Sequence, residues 1–524
     1  MPGGPLRRRV WRGCLTPRPL GVPLMGVLVL LLLVSGLAAG TPALAQQPFP
    51  TALASFYTQQ PTWTPCDGAA DAGQHPTRGL CSWITVPLDY AAPAGPTIRL
   101  RVAKWPASGS TRVGSLVVNP GGPGASGLDF ASYLASSAPG IAAAYDIVGF
   151  DPRGVGQSAP ITCLTGPQTT ALLRLDSTPT TAQQEKAYVA ASAAVSDGCL
   201  RLSPSLARNV GTDNTIQDMD ILRAVLGDDA LNWFGASYGT YLGTRYIQRF
   251  PTHVGRMVLD GVVDPGLDAM GLSYGQSIAF QRAVERFAAD CATLRSCPYR
   301  GSAGAVVGSI NTLLARLDTH PMATRAALPL VQAEALNAVI YAMYTPFLWP
   351  DLRRALAAAT RGDGTPLQRM AADANDQTGP DTYGSNGASA FPAIGCWDQP
   401  APPGPDGLRA AAHTWATTAK VPEIARALAW GNASCALWFG HSPVLPGPAT
   451  STTTAPVLLI GTTFDPATPY WWARDVHKQM PTSTLLTYYG DGHTAFGSGS
   501  TCIDRAVTTY LVRGVMPAPD TVCR

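Results

Sequence analysis

Ser237 lies in Gly235-Ala236-Ser237-Tyr238-Gly239, a Gly-x-Ser-x-Gly pattern. A serine hydroxyl serves as a nucleophile when a sharp turn exposes it and small neighbours let the backbone close around it. Gly235, Ala236 and Gly239 are those neighbours. The apolar run 231–234 predicts a strand before the serine, and residues 240–250 predict a helix after it. In a chain with 53 glycines the bare pattern arises easily. The strand–turn–helix setting is what marks Ser237 as a covalent catalyst.

Such a serine needs a base, an acid to orient the base, and donors for the oxyanion. The seven histidines are His75, His253, His320, His413, His441, His477 and His493. His493 follows a strand-like run at a turn, in Tyr489-Gly490-Asp491-Gly492-His493-Thr494, and is the expected base. His477 falls in a helical stretch with Arg474 and Lys478 and reads as surface. In the order serine, acid, histidine, the acid should close the preceding strand. Asp465 does so in Phe464-Asp465-Pro466-Ala467-Thr468-Pro469, and Thr468 is placed to hydrogen-bond it. Asp260, Asp264 and Asp491 are the competing carboxylates. One oxyanion donor is expected from the Tyr238 backbone. The other is expected from Val117-Val118-Asn119-Pro120-Gly121-Gly122-Pro123-Gly124, with Gly121 and Gly122 both candidates.

These residues sit among short apolar runs at 98–105, 115–118, 146–150, 231–234, 257–263, 456–461 and 484–489. Several are apolar on both faces, as parallel strands covered by helices are. Helical periodicity appears between them, for example at 215–226, where Ile216, Met219, Leu222 and Val225 form a stripe. The pattern predicts an α/β fold with a mostly parallel sheet, and the Gly-x-Ser-x-Gly turn between strand and helix makes an α/β-hydrolase fold the expected type. Residues 267–450 are helix-rich (279–294, 331–343, 352–359). The expected organisation is therefore a signal peptide at 1–45, a first core part at 46–266, an inserted helical cap at 267–450 and a closing core part at 451–524.

The N-terminus carries Arg7, Arg8, Arg9, Arg12 and Arg18, then an apolar stretch at 21–39 and Ala43-Leu44-Ala45. This is the order of a secretory signal peptide; an uncleaved membrane anchor is the competing reading. Its removal takes five arginines from a formal charge of +3, leaving −2. A near-neutral chain without a basic run predicts no nucleic-acid partner. After cleavage no stable membrane partner is expected. Without Cys14 ten cysteines remain, in sequential neighbours: Cys66 and Cys81, Cys163 and Cys199, Cys291 and Cys297, Cys396 and Cys435, Cys502 and Cys523. Disulfides of an exported protein are the expected use, and no metal-ligand spacing is present.

With these motifs the chain resembles the secreted tripeptidyl aminopeptidases, in the prolyl-aminopeptidase branch of the α/β-hydrolases. The likeness rests on Gly-Ala-Ser-Tyr-Gly-Thr at 235–240, Asn-Pro-Gly-Gly-Pro-Gly at 119–124, Asp-Pro-Arg-Gly-Val-Gly-Gln-Ser at 151–158 and Asp-Pro-Ala-Thr-Pro at 465–469. It implies a serine peptidase that releases short peptides from free N-termini, with a helical cap and no cofactor. The substrate ammonium would need acids, for which Glu285, Glu334 and Asp398 are the cap candidates; each also fits a surface or structural role. Arg153 is expected to pair with Asp218 or Asp220. An esterase or lipase on the same triad, and a non-catalytic hydrolase-like binding protein, are the alternatives.

Overall fold

The computed structural model describes residues 50–66, 79–444 and 446–524. The segment expected to be a signal peptide lies outside them. Twelve strands occur among the described residues: β1 (Thr64–Pro65), β2 (Leu80–Pro87), β3 (Thr97–Trp105), β4 (Gly114–Asn119), β5 (Tyr145–Phe150), β6 (Leu231–Ala236), β7 (Val254–Asp260), β8 (Gln377–Gly379), β9 (Thr382–Tyr383), β10 (Val457–Phe464), β11 (Ser483–Asp491) and β12 (Val522–Cys523). Strands β8 and β9 form a separate hairpin. The other ten make one sheet in the order β1-β2-β3-β5-β4-β6-β7-β10-β11-β12. From β5 to β12 neighbouring strands are parallel, while β1, β2 and β3 run antiparallel at one edge.

Burial explains the composition of the central strands. Every residue of β4 is buried, because helices cover both faces of the sheet. Gly127–Ser137 and Thr501–Arg513 pack Ala131, Leu134, Ile503 and Val507 on one face. Thr212–Val225, Tyr238–Arg249 and Tyr470–Gln479 pack Ile216, Met219, Leu242 and Val476 on the other. The run at 257–263 is only partly a strand. The sheet ends at Asp260, and Gly261 turns away with φ of 71°.

The chain adds β5 on one side of β4 and then crosses to the other side with β6. Such a reversal opens a crevice at the carboxyl ends of the strands, where ligands of α/β sheets bind. Register brings those ends level. Asn119 pairs with Gly235, Ala236 with Asp260, and Asp260 with Ile460.

Between β7 and β10 lie helices with a core of their own, built on the 25-residue helix Ala269–Thr293 through Phe280, Val284 and Phe287. A second set of helices, Gly166–Arg174 and Ala182–Leu202, enters between β5 and β6 and joins this layer. Arg174 pairs with Glu334, and the Thr178 hydroxyl donates to Gln332. The five cysteine pairs expected from the sequence are all disulfides. Of the two acids expected for Arg153, Asp218 takes it.

Candidate active site

Strand β6 ends at Ala236 and the next helix begins at Tyr238, so Ser237 alone makes the turn. Its φ of 55° lies in the left-handed region, which costs an L-residue of order 1–3 kcal/mol unless its surroundings hold it. They do. The Ser237 N–H donates to the Asp260 carbonyl at 2.9 Å, and Thr240 donates its N–H (2.8 Å) and hydroxyl (2.6 Å) to the Ser237 carbonyl. A Cβ at Gly235 would strike the Gly239 carbonyl and the Trp233 indole, so only glycine allows the strand and helix to approach this closely.

The loop after β4 runs beside this turn. Gly121 has φ of 99°, and a Cβ there would lie 2.8 Å from both Ser237 Cβ and the Tyr238 nitrogen. The loop backbone is therefore pressed against the nucleophile. Asn119 Oδ1 accepts the Gly121 N–H at 2.9 Å, which removes that donor from use. The N–H groups of Gly122 and Tyr238 have no acceptor among the described contacts. Between the two candidate glycines, Gly122 is thus the one with a donor to offer.

On the opposite side, His493 Nδ1 lies 2.9 Å from Asp465 Oδ1 and 3.0 Å from Oδ2. Asp465 is buried and fixed by its own loop. Oδ1 accepts the N–H groups of Ala467 (2.9 Å) and Thr468 (2.8 Å), and Oδ2 accepts the Thr468 hydroxyl at 2.9 Å. The imidazole stands edge-on to the Tyr344 ring, 5.4 Å between centroids, and the His493 N–H donates to the Tyr344 carbonyl at 2.8 Å. Burial disfavours the charged imidazole, but the carboxylates of Asp465 and Asp260 outweigh it, and the His493 pKa stands above its usual value.

The turn at Ser237 and the imidazole of His493 both border the Asp260–Gly261 pair. A Cβ on Gly261 would lie 3.3 Å from His493 Cε1, and the preceding residue, Asp260, holds the Ser237 N–H. Ser237 and His493 form no side-chain hydrogen bond here, a common state before substrate tightens such a site. The arrangement supplies a half-buried serine hydroxyl, a carboxylate-bound imidazole and two unengaged backbone donors, the components of acyl transfer.

The competing carboxylates are engaged elsewhere. Asp491 forms a two-point ion pair with Arg286, both contacts at 2.7 Å, and Asp264 accepts the Gly266 N–H. Asp260 accepts the N–H groups of Ala495 and Phe496. The cap acids separate from one another. Glu334 caps its helix at Val331 and pairs with Arg174, Glu285 is exposed, and Asp398 is buried against Thr212. Tyr344 was not foreseen: it reaches His493 from the cap, and no local pattern announces that contact.

Fold and site together define a serine hydrolase of the α/β-hydrolase class. Residues 420–523 match the family model described as TAP-like protein. Serine protease Hip1 of Mycobacterium tuberculosis is 32% identical over 88% of this chain and 90% of its own length. Carboxylesterase B of the same organism is 35% identical over 94% of this chain and 96% of its own. Tripeptidyl aminopeptidase of Streptomyces coelicolor is 33% identical over 84% of this chain and 82% of its own. The chain belongs to the tripeptidyl-aminopeptidase-like family of α/β-hydrolase serine peptidases.

Proposed function

We propose that the protein is a secreted exopeptidase that releases short peptides, tripeptides foremost, from free N-termini. The observation that carries the chemistry is the imidazole of His493 held on Asp465 beside the turn at Ser237. In this reading His493 takes the Ser237 proton as Oγ attacks the scissile carbonyl. Gly122 and Tyr238 N–H groups receive the oxyanion, and the leaving amine departs with the proton returned by His493. Water then hydrolyses the acyl-enzyme by the same route. Asp465 holds the imidazole in the required tautomer and balances its charge. The tripeptidyl aminopeptidase relative supports the peptide reading, and five disulfides with the N-terminal basic-apolar-Ala-x-Ala sequence support export.

A carboxylesterase is the second reading, favoured by the 35% identity to carboxylesterase B. Comparing free-amino tripeptide anilides, their N-blocked forms and simple esters separates the two. The exopeptidase reading expects the free-amino anilides to be turned over best. Better turnover of blocked peptides or esters would overturn it. Fluorophosphonate labelling of the wild type, lost in Ser237→Ala, tests the nucleophile itself.

A further inference from the structure

Asp260 is 1% exposed at the carboxyl end of β7, yet its carboxylate does not touch the imidazole. It faces the loop that follows the histidine. Oδ1 and Oδ2 both lie 3.0 Å from the Ala495 nitrogen, and Oδ2 accepts the Phe496 N–H at 2.8 Å. Two successive N–H groups thus converge on one carboxylate, a fork that fixes the loop by its backbone. Thr494, between His493 and this fork, is held at φ of 66°, a conformation that a β-branched residue keeps only under constraint. The other end of the same short segment is tied to Asp465, through the imidazole and through the Thr494 N–H at 3.2 Å. Asp260 also offers its carbonyl to the Ser237 N–H. One residue therefore touches the backbone of both the nucleophile turn and the histidine loop.

We propose that Asp260 is a positioning residue: its carboxylate clamps the histidine loop so that the His493 imidazole stays on Asp465 and above Ser237. The proposal rests on the assignment of Ser237, Asp465 and His493 made above. A side cavity of about 480 Å³, lined by Phe130, Tyr133, Phe234 and Phe496, reaches Asp260 from the sheet side opposite the Tyr238–Arg249 helix. Burial raises the Asp260 carboxyl to about 6, against the lowering pull of the Phe496 and Ala495 N–H groups and of His493. The charged and titratable groups facing the imidazole are Asp465 from the β10 loop, Asp260 from β7 and Tyr344 from the cap. Asp465 acts by direct contact. Asp260 acts through the loop and, when ionised, through its charge.

The test is steady-state kinetics of full-length Asp260→Asn on a tripeptide anilide, across pH 5 to 9. The asparagine fills the same space but sets an NH₂ group against the loop N–H groups. A misplaced base lowers kcat by about 100-fold with little change in KM. Losing the negative charge lowers the His493 pKa, so the acid limb of kcat/KM moves to lower pH. Fluorophosphonate labelling of Ser237 slows in parallel, at a temperature where circular dichroism shows the variant folded. An unchanged kcat or an unmoved acid limb overturns the proposal. If the asparagine variant does not accumulate, Asp260→Ser removes the same charge with less bulk. If neither accumulates, amide hydrogen exchange of the wild type is read at Ala495 and Phe496, whose N–H groups the clamp should protect; exchange there as fast as in an open loop overturns the proposal. A parallel His493→Ala keeps the two readings apart, since full activity there would overturn the triad and not the clamp alone.

Discussion

Asp398, the last residue of the cap helix Gly387–Asp398, grips Thr212 at the start of a core helix with both carboxylate oxygens. Oδ1 accepts the Thr212 N–H at 2.7 Å and Oδ2 its hydroxyl at 2.6 Å. The same hydroxyl meets the Tyr238 phenol at 2.5 Å. The cap is thereby hydrogen-bonded to the residue that follows the nucleophile. A carboxylate that the sequence offered either as an ammonium candidate or as a structural group lies at the seam between cap and core.

Burial raises the Asp398 carboxyl from 3.8 to about 7, opposed by the Thr212 bonds. The folded protein thus keeps a proton that the unfolded chain releases near pH 4. Stability from this group is fully present below that value and is lost as pH rises through about 7. Asp260, raised to about 6, acts in the same direction. Tm should therefore fall between pH 5 and pH 8, and the fall should shrink in Asp398→Asn. Differential scanning calorimetry at the two pH values checks this; an equal slope in the variant contradicts it.

Asp465→Asn leaves the volume unchanged but offers an NH₂ group to the imidazole, favouring the wrong tautomer. For a triad acid the expected loss in kcat is about 10⁴-fold, with Tm little altered. Kinetics on a tripeptide anilide measures it. A loss below tenfold would return the role of acid to another carboxylate.

Gly121→Ala puts a methyl group 2.6 Å from the Ala236 carbonyl and 2.8 Å from Ser237 Cβ, at a φ of 99°. The loop must withdraw and carry the Gly122 N–H with it. Losing one oxyanion donor lowers kcat by about 10²- to 10³-fold. Binding of a substrate analogue by Ser237→Ala, with and without Gly121→Ala, should show much smaller differences than turnover does.

Arg153 and Asp218 are fully buried and joined by two bonds of 2.7 Å; Arg153 also donates to the carbonyls of Pro87, Leu88 and Asn209. Removing one partner strands a buried charge. Arg153→Ala or Asp218→Ala should each cost about 3–5 kcal/mol in denaturant unfolding. The double variant should cost less than their sum, because the second change removes the charge that the first left unpaired.

Much of this was legible locally. Short apolar runs marked β3, β4, β5, β6, β10 and β11, and the central ones are apolar on both faces because helices cover both. The elbow was legible because a left-handed serine between strand and helix requires small neighbours. Cysteine neighbours predicted the disulfides because short loops close readily. Strand β2 was not singled out: Trp83 and Ile84 lie among Ser82 and Thr85, a weak pattern for an edge strand pair. The second helical insertion, between β5 and β6, also passed unmarked, since its helices carry no signal of what they will cover.

The sequence by itself determined the chemistry available: a serine at an elbow, then an aspartate and a histidine, each closing a strand in the right order. Tertiary structure decided which of several equivalent groups lie where that chemistry can use them. Register levelled the ends of β4, β6, β7 and β10, and crossovers brought Arg286 to Asp491, Arg174 to Glu334, Thr212 to Asp398 and Tyr344 to His493. Asn119 occupied the Gly121 donor and left that of Gly122 open. These choices depend on partners distant in the chain. Hydrogen bonds and ion pairs select by distance and direction in space, and no local periodicity encodes either.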